Sequence, residues 1–135
     1  MQIFESRYAR LNGKIYLDLV RDAREIYNQI VRRTKRNPYV RSKYFKNSKV
    51  FLNVFWNHLA QKNPSDRKRR LRFFPCAIDL LRNTTYEPDM VLNPNKTSEI
   101  LYRFHGKSAD GASFTVQVKR DNRSDNKFFM SVFPD

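Results

Sequence analysis

The spacing of apolar residues changes from a helical period early in the chain to a strand period near its end. Between residues 19 and 31, apolar side chains recur at steps of three and four, which predicts a helix that ends before Asn37-Pro38. The same spacing predicts a second helix over about residues 64–82, with a kink or break at Pro75 because proline lacks a backbone N–H. The first half of the chain is therefore predicted to be mainly helical.

Three runs near the C-terminus alternate between polar and apolar residues. They cover residues 100–105, 114–119 and 128–133, and polar turns at 109–112 and 121–126 separate them. Two short turns between three alternating runs predict an antiparallel meander. A further strand is predicted at residues 50–56, whereas residues 38–48 are predicted to form a connector and residues 83–97 a loop.

Together these elements predict an α+β fold in which N-terminal helices precede a curved antiparallel sheet. In this interpretation residues 1–48 form a helical, basic N-terminal extension and residues 49–135 form the α+β core. The chain has 135 residues, of which 40% are hydrophobic and 14% aromatic, so both parts fit in one compact unit with a real core.

No stretch of the sequence predicts a membrane span or a signal peptide. Apolar runs stay well short of the ~18 residues that a span needs, and residues 1–16 mix charged with isolated apolar residues. The single cysteine, Cys76, excludes an intramolecular disulfide framework and is expected to be a buried, inert thiol. We therefore expect a cytoplasmic protein.

Positive charge is concentrated in the middle of the sequence. The chain carries 27 Lys and Arg against 13 Asp and Glu, a net charge of +14. Residues 32–72 alone hold 14 basic residues and one acidic residue, Asp66, for a net charge of +13. Such a one-signed stretch is typical of proteins that bind the phosphate backbone of nucleic acid. The alternatives are a solvated basic face and a membrane-binding surface, although Asn-Pro breaks argue against one continuous amphipathic helix.

The predicted meander carries polar side chains that could take part in chemistry. Because alternate residues of a strand share a face, one face is expected to be core and the other to display His105, Gln117, Lys119 and Ser131. Histidine suits proton transfer near neutral pH, lysine stabilises a charged phosphorane, and a serine hydroxyl can orient a phosphate. The alternative for each of these residues is a structural role, since a single strand histidine is often a satisfied surface or core group.

Metal and nucleotide-cofactor sites are not predicted. His58, His105 and Cys76 form no cluster with ligand spacing, and three glycines can hardly build a dinucleotide-binding or P-loop motif. We expect no cofactor.

Three C-terminal segments resemble a known group of nucleases. They are Tyr-Arg-Phe-His-Gly (102–106), Phe-Thr-Val-Gln-Val-Lys (114–119) and Lys-Phe-Phe-Met-Ser-Val-Phe-Pro (127–134), and they resemble the end of the bacterial and phage-associated barnase–EndoU–colicin–RelE nucleases. His-Leu (58–59), Arg-Lys-Arg-Arg-Leu (67–71) and Pro-Cys-Ala (75–77) are similar to the upstream part of the phage-associated branch. The resemblance covers about residues 49–135 and does not extend to residues 1–48.

This resemblance implies N-terminal helices joined to a curved antiparallel sheet, and RNA cleavage by a toxin without a metal ion. It implies His105 as a proton-transfer group, Lys119 as the cation that stabilises the phosphate and Ser131 as the hydroxyl that orients it. His58 and Arg70 are second-rank candidates for the site. The residues expected to contact the RNA backbone are Arg36, Arg67, Lys68, Arg69, Arg70, Arg72 and Arg103.

The sequence thus predicts a metal-independent endoribonuclease toxin that cleaves tRNA or mRNA. Attack by the 2′-hydroxyl would leave a 2′,3′-cyclic phosphate, with His105 sharing proton transfer with His58 or another group. A free ribonuclease would poison its host, which implies an acidic antitoxin or immunity protein as partner. Two alternatives stay open: a non-catalytic RNA- or DNA-binding module, and a structural or regulatory protein whose basic face binds an acidic protein.

Overall fold

Across residues 2–135, which the computed structural model describes, seven strands form one mixed sheet and four helices lie between them in the chain. In chain order the elements are β1 (Phe4–Glu5), α1 (Tyr16–Arg33), β2 (Tyr39–Ser42), β3 (Ser48–Phe51), α2 (Val54–Ala60), α3 (Pro64–Leu71), α4 (Phe74–Asn83), β4 (Asp89–Leu92), β5 (Glu99–Lys107), β6 (Ser113–Asp121) and β7 (Lys127–Pro134). The strand order is β1-β5-β6-β7-β3-β2, and β4 joins the edge of β5 that also carries β1.

The prediction of N-terminal helices followed by an antiparallel sheet is wrong. The helices lie between strands of the sheet in chain order, with β1 before α1 and both β2 and β3 before α2, and β1 and β3 run parallel to β5 and β7. These parallel pairs join distant parts of the chain, since Phe4 is opposite Gly106 and Val50 is opposite Lys127. Periodicity within a short window cannot show such long-range pairing, which is why the sequence indicated only the local meander.

The three-strand meander β5–β6–β7 is antiparallel, as its alternating pattern predicted. On one face of β5 and β6, the even-numbered residues Tyr102, Phe104, Val116 and Val118 are buried in the core. The odd-numbered residues, His105 among them, point to the opposite face and are half-buried or exposed, except for the buried Glu99 and Thr115. The sheet therefore has one apolar face, which packs on the helices, and one polar face.

The predicted helix over residues 64–82 is two helices. Asn63 caps α3 by accepting a hydrogen bond of 2.8 Å from the Asp66 backbone N–H. The helix is interrupted at residues 72–73, and α4 begins at Phe74 with Pro75 in its first turn. Proline is well tolerated there because a first-turn N–H has no partner within its own helix. The break allows α3 to lie beside β7 and α4 to pack under β5 and β2.

Three other boundaries differ from the prediction. The strand expected at residues 50–56 ends at Phe51, and the apolar run continues as helix α2 from Val54. The expected connector at residues 38–48 contains β2, and the expected loop at residues 83–97 contains β4. Uniformly apolar or very short segments have no period that would separate strand from helix or loop.

Residues 2–48 share the core of the rest of the chain. Leu19, Ala23 and Ile30 of α1 belong to the same buried cluster as Phe55 and Phe129, whose rings stack with centroids 4.7 Å apart. The N-terminal segment is held by the buried Asp79, which accepts hydrogen bonds from the Ser6 hydroxyl and the Arg7 backbone N–H, both at 3.0 Å. No helix within residues 2–135 combines the length and apolar character needed to cross a membrane.

Cys76 is buried at the start of α4, as predicted. Its thiol donates a hydrogen bond of 3.2 Å to the Tyr8 carbonyl, and burial raises its pKa to about 11. The thiolate form is therefore scarce at neutral pH, and the residue is an inert part of the core.

Candidate active site on the polar face of the sheet

The polar face is built from three successive rows of side chains across β5, β6 and β7. We call them the histidine row (His105, Thr115, Phe133), the arginine row (Arg103, Gln117, Ser131) and the lysine row (Leu101, Lys119, Phe128). Neighbouring rows are two residues apart along each strand, about 7 Å. Between the last two rows, β7 has an extra residue opposite the Gln117/Val118 step of β6. Three of the predicted catalytic residues, His105, Ser131 and Lys119, thus share one face but lie in three different rows.

His105 is oriented by partners on both ring nitrogens. Its Nε2 lies 2.8 Å from Asp89 Oδ2, and its Nδ1 lies 3.4 Å from Thr115 Oγ1. The Thr115 hydroxyl has one proton and donates it to Asp135 Oδ1 at 2.6 Å, so toward His105 it can only accept. A carboxylate also only accepts. This pattern of partners is therefore complementary to a ring that carries protons on both nitrogens.

The arginine row holds two guanidinium groups. Arg103 is exposed, and its Nε donates a hydrogen bond of 3.1 Å to Gln117 Oε1. Arg70 reaches the row from α3, where its Nη1 donates a hydrogen bond of 2.7 Å to Ser131 Oγ. Its Nε is 3.0 Å from Asp66 of the same helix, which fixes the side chain. The Ser131 hydroxyl accepts from Arg70 and keeps its own proton for a ligand, so this row can bind an anion from several sides.

The lysine row contains an ion pair that turns its ammonium group away from His105. Lys119 Nζ lies 3.3 Å from Glu99 Oε2, at the far end of β5 from His105. Burial raises the pKa of Glu99, but hydrogen bonds from Lys119 and Asn93 and the charges of Lys119 and Lys96 outweigh it, so the pKa is lowered overall. Glu99 is therefore an anion at neutral pH, and Lys119 is its main partner.

His58 lies on α2, near enough to Lys119 for the charge of this lysine to affect its pKa. Its half-buried imidazole has a pKa below the usual 6.5, first because of burial and then because of the positive charges of Lys62 and Lys119. The ring is consequently neutral at pH 7 and able to accept a proton.

The predicted RNA-binding residues lie in three places. Arg70 and Arg103 are on the arginine row, and Arg69 and Arg72 line a cavity at the end of the sheet. Arg67 folds back on its own segment, where its Nε donates a hydrogen bond of 2.8 Å to the Lys62 carbonyl.

Two predicted RNA-binding residues are not brought to the polar face by any specific contact. Lys68 is half-buried on α3, and Arg36 is exposed in the turn between α1 and β2, with φ = 62°. Within residues 2–135, no hydrogen bond or ion pair from either side chain reaches the three rows.

Sequence reasoning missed the residues that orient His105. Asp89 lies in a segment that was predicted to be a loop, although the apolar triplet Met90–Leu92 after it could have indicated a strand. Thr115 has the same parity as Gln117 and Lys119, so the alternation of β6 does place it on the polar face. Asp135 reaches Thr115 only because β7 pairs with β6 to its end, which no local signal shows.

Within residues 2–135, no three His, Cys, Asp or Glu side chains come together in an arrangement that could hold a metal ion. Comparisons of the chain with protein-family models, with curated proteins and with solved structures find no match. The function of the polar face must therefore be argued from its own geometry.

Proposed function

We propose that the protein is an endoribonuclease and that the arginine row of the polar face binds the scissile phosphate. The observation that carries the proposal is the order of the rows: two guanidinium groups and a serine hydroxyl lie between His105 on one side and Lys119 on the other, and the charge of Lys119 acts on His58. Cleavage of RNA by its own 2′-hydroxyl requires a base, an acid and cations around the phosphate. Each of these parts has a candidate here.

His58 is the candidate base. A neutral imidazole accepts the proton of the 2′-hydroxyl, and the resulting oxygen nucleophile bonds to phosphorus. Burial and the charges of Lys62 and Lys119 favour the neutral ring, which is the form that this step needs. In this scheme Lys119 acts through His58 and Glu99 as a positioning residue, a change from the predicted direct contact with phosphate.

His105 is the candidate acid. The bond from phosphorus to the 5′-oxygen breaks as the leaving oxygen takes a proton from the His105 imidazolium. The products are a 2′,3′-cyclic phosphate and a 5′-hydroxyl. After the reaction His58 is protonated and His105 is neutral, and proton exchange with water restores the starting state of both rings. Asp89 and Thr115 support this role because both offer acceptors to a doubly protonated ring.

Arg70, Arg103 and Ser131 are the candidate phosphate ligands. Guanidinium groups bind phosphate oxygens with paired hydrogen bonds and stay charged throughout the reaction. Arg70 is only 17% exposed and is fixed by Asp66, so it offers a preorganised donor next to the bound phosphate. The remaining positive charge of residues 32–72 would attract and hold the rest of the RNA strand.

The decisive experiment is incubation of the purified protein with total RNA and with tRNA in the presence of EDTA. We expect fragments with 5′-hydroxyl ends and 2′,3′-cyclic phosphates, and we expect His105→Gln to abolish them. Steeply salt-dependent binding of RNA without any product would instead indicate the non-catalytic binding module. Cleavage that disappears in EDTA would contradict the mechanism proposed here.

A toxin of this kind needs a neutralising partner, and the net charge of +14 suits an acidic protein. We expect growth arrest when the chain is expressed alone and normal growth when His105→Gln is expressed at the same level. Equal growth of the two strains would contradict the toxin proposal.

A further inference from the structure

A cavity of about 410 Å³ lies at the end of the sheet where β6 begins and β7 ends. Its lining includes three arginines, Arg10, Arg69 and Arg72, together with Ser113 and Asp135. We call it the arginine cavity. It is separate from the arginine row, which lies on the other side of His105.

The arginine cavity lies one row beyond the histidine row. Ser113 pairs with Lys107 in the register of β5 and β6, two residues from the His105–Thr115 pair. The Asp135 backbone N–H donates to the Ser113 carbonyl at 3.1 Å, and the Asp135 carboxylate accepts from the Thr115 hydroxyl at 2.6 Å. The rim of the cavity and His105 are thus about 7 Å apart along the strands. The rim of the cavity and the arginine row are two rows apart, about 14 Å, which is on the scale of two nucleotide steps along a single strand.

The three arginines and Arg70 beside them carry four positive charges against three carboxylates, those of Asp66, Asp110 and the lining residue Asp135, so one positive charge remains. Arg10 Nε pairs with Asp110 at 2.8 Å, and Arg69 lies 3.6 Å from Asp66, a carboxylate that Arg70 already binds at 3.0 Å. Arg72 donates a hydrogen bond of 3.0 Å to the Leu11 carbonyl, and among residues 2–135 no carboxylate lies within ion-pair distance of its guanidinium. The cavity therefore has the charge and the donors to bind a phosphate group.

We propose that the arginine cavity binds the second RNA phosphodiester beyond the scissile phosphate, on the side of His105. This proposal rests on the function proposed above. The RNA strand then crosses the rows in order, with the scissile phosphate on the arginine row and the second phosphate beyond it in the arginine cavity. His105 lies between the two phosphates, where it reaches the leaving oxygen.

Binding of a short, fluorescent, fully 2′-O-methylated RNA tests the proposal, because this probe has no 2′-hydroxyl and cannot be cleaved. Fluorescence anisotropy over a series of salt concentrations is measured for the wild type and for Arg72→Gln. We expect Arg72→Gln to weaken binding about tenfold and to reduce the slope of log affinity against log salt by ~0.7, the loss of one phosphate contact on a single strand. The matched control is Arg123→Gln, which removes the same charge from the exposed turn between β6 and β7, at the opposite end of the sheet.

Arg69→Gln keeps the test valid if Arg72→Gln fails to fold, because the Arg69 side chain is 61% exposed and its loss leaves the core untouched. We expect the same direction of change for this variant. Unchanged affinity and salt slope in both arginine variants would overturn the proposal, and so would an equal loss in Arg123→Gln. The failure of the nuclease function is a different result, since it would appear as a wild-type protein that binds RNA but cuts none.

Discussion

Asp89 Oδ2 lies 2.8 Å from His105 Nε2, although the two residues belong to different strands and are not directly opposite in the register. Asp89 pairs with Arg103, so its carboxylate reaches His105 diagonally across β4 and β5 on the polar face. Asp89 is exposed, with 62% of its side-chain surface accessible, whereas His105 is only 19% accessible. An exposed carboxylate thus orients a mostly covered imidazole.

We expect His105→Gln to lower the rate of RNA cleavage by about 10²- to 10⁴-fold, the usual contribution of a general acid or base. Asp89→Asn should give a smaller loss, because the ring stays in place but loses its anionic acceptor. The rates are measured under single-turnover conditions with a labelled tRNA. The control is Asp22→Asn, which removes a carboxylate from α1 and should leave the rate unchanged. A full rate in His105→Gln would remove this residue from the mechanism.

The pKa of His58 offers a test that does not depend on activity. The chain has only two histidines, so NMR titration gives two imidazole signals, and His105→Gln identifies which is which. We expect the His58 signal to titrate below 6.5 and its pKa to rise in Lys119→Gln, because one of the nearby positive charges is lost. The pKa should still lie below the usual value, since burial is the larger cause. An unchanged His58 pKa in Lys119→Gln would show that the charge of Lys119 does not act on this ring.

The same shift makes folding depend on pH. Because the folded state lowers the pKa of His58, the unfolded chain takes up the proton more readily. The contribution of His58 to stability is therefore complete above its unfolded pKa near 6.5 and is lost as pH falls through the lower folded value. Urea unfolding between pH 8 and pH 5 should show a loss of stability in the wild type that is reduced in His58→Gln. Identical pH profiles for the two proteins would contradict this expectation.

Gly106 allows the close packing beneath His105. A Cβ at this position would lie 2.5 Å from Phe114 Cζ and 2.9 Å from Leu80 Cδ1, both in the core. We expect Gly106→Ala to lower the free energy of unfolding by about 1–3 kcal/mol, the cost of overpacking. Phe114→Leu is the matched partner, because it removes the ring that the new methyl group would meet. The double variant should lose less stability than the sum of the two single variants, and strict additivity would argue against the clash.

The buried carboxylate of Asp79 attaches the N-terminal segment to α4. It accepts from Ser6 Oγ and Arg7 N, both at 3.0 Å, and from Asn83 Nδ2 at 2.8 Å. We expect Asp79→Ala to destabilise the fold by about 2–4 kcal/mol, because one buried and two partly buried donors lose their acceptor. Asp22→Ala on the surface of α1 should change the free energy of unfolding by less than about 0.5 kcal/mol. Equal urea midpoints for the two variants would show that this network contributes little.

The sequence allowed the meander and its two faces to be predicted, because the alternation in β5, β6 and β7 is a local property. Tyr102, Phe104 and Val116 are buried, and His105 and Gln117 share the other face. The alternation could not show the order of the rows, which separates Lys119 from His105. It also could not show the bond between Arg70 and Ser131, since those residues are 61 positions apart.

Outside the meander, only part of β3 was predicted, as the strand at residues 50–56, and β1 and β4 escaped prediction for a different reason. β1 has two residues and β4 has four, so neither contains enough alternation to be distinguished from a loop. Both strands are held in the sheet by pairing with β5, and in the case of β1 this partner lies far along the chain. The mixed topology is therefore a property of the assembled chain and not of any single window of sequence.

β4 joins the sheet only through its four pairs with β5, from Asp89 opposite Arg103 to Leu92 opposite Ile100. Side chains of a strand alternate between faces, so a slip of one residue would turn the Asp89 carboxylate to the opposite face. Every backbone hydrogen bond could form again in the slipped pairing, but His105 would lose its acceptor. The alignment of one short peripheral strand therefore decides whether this imidazole has a carboxylate partner.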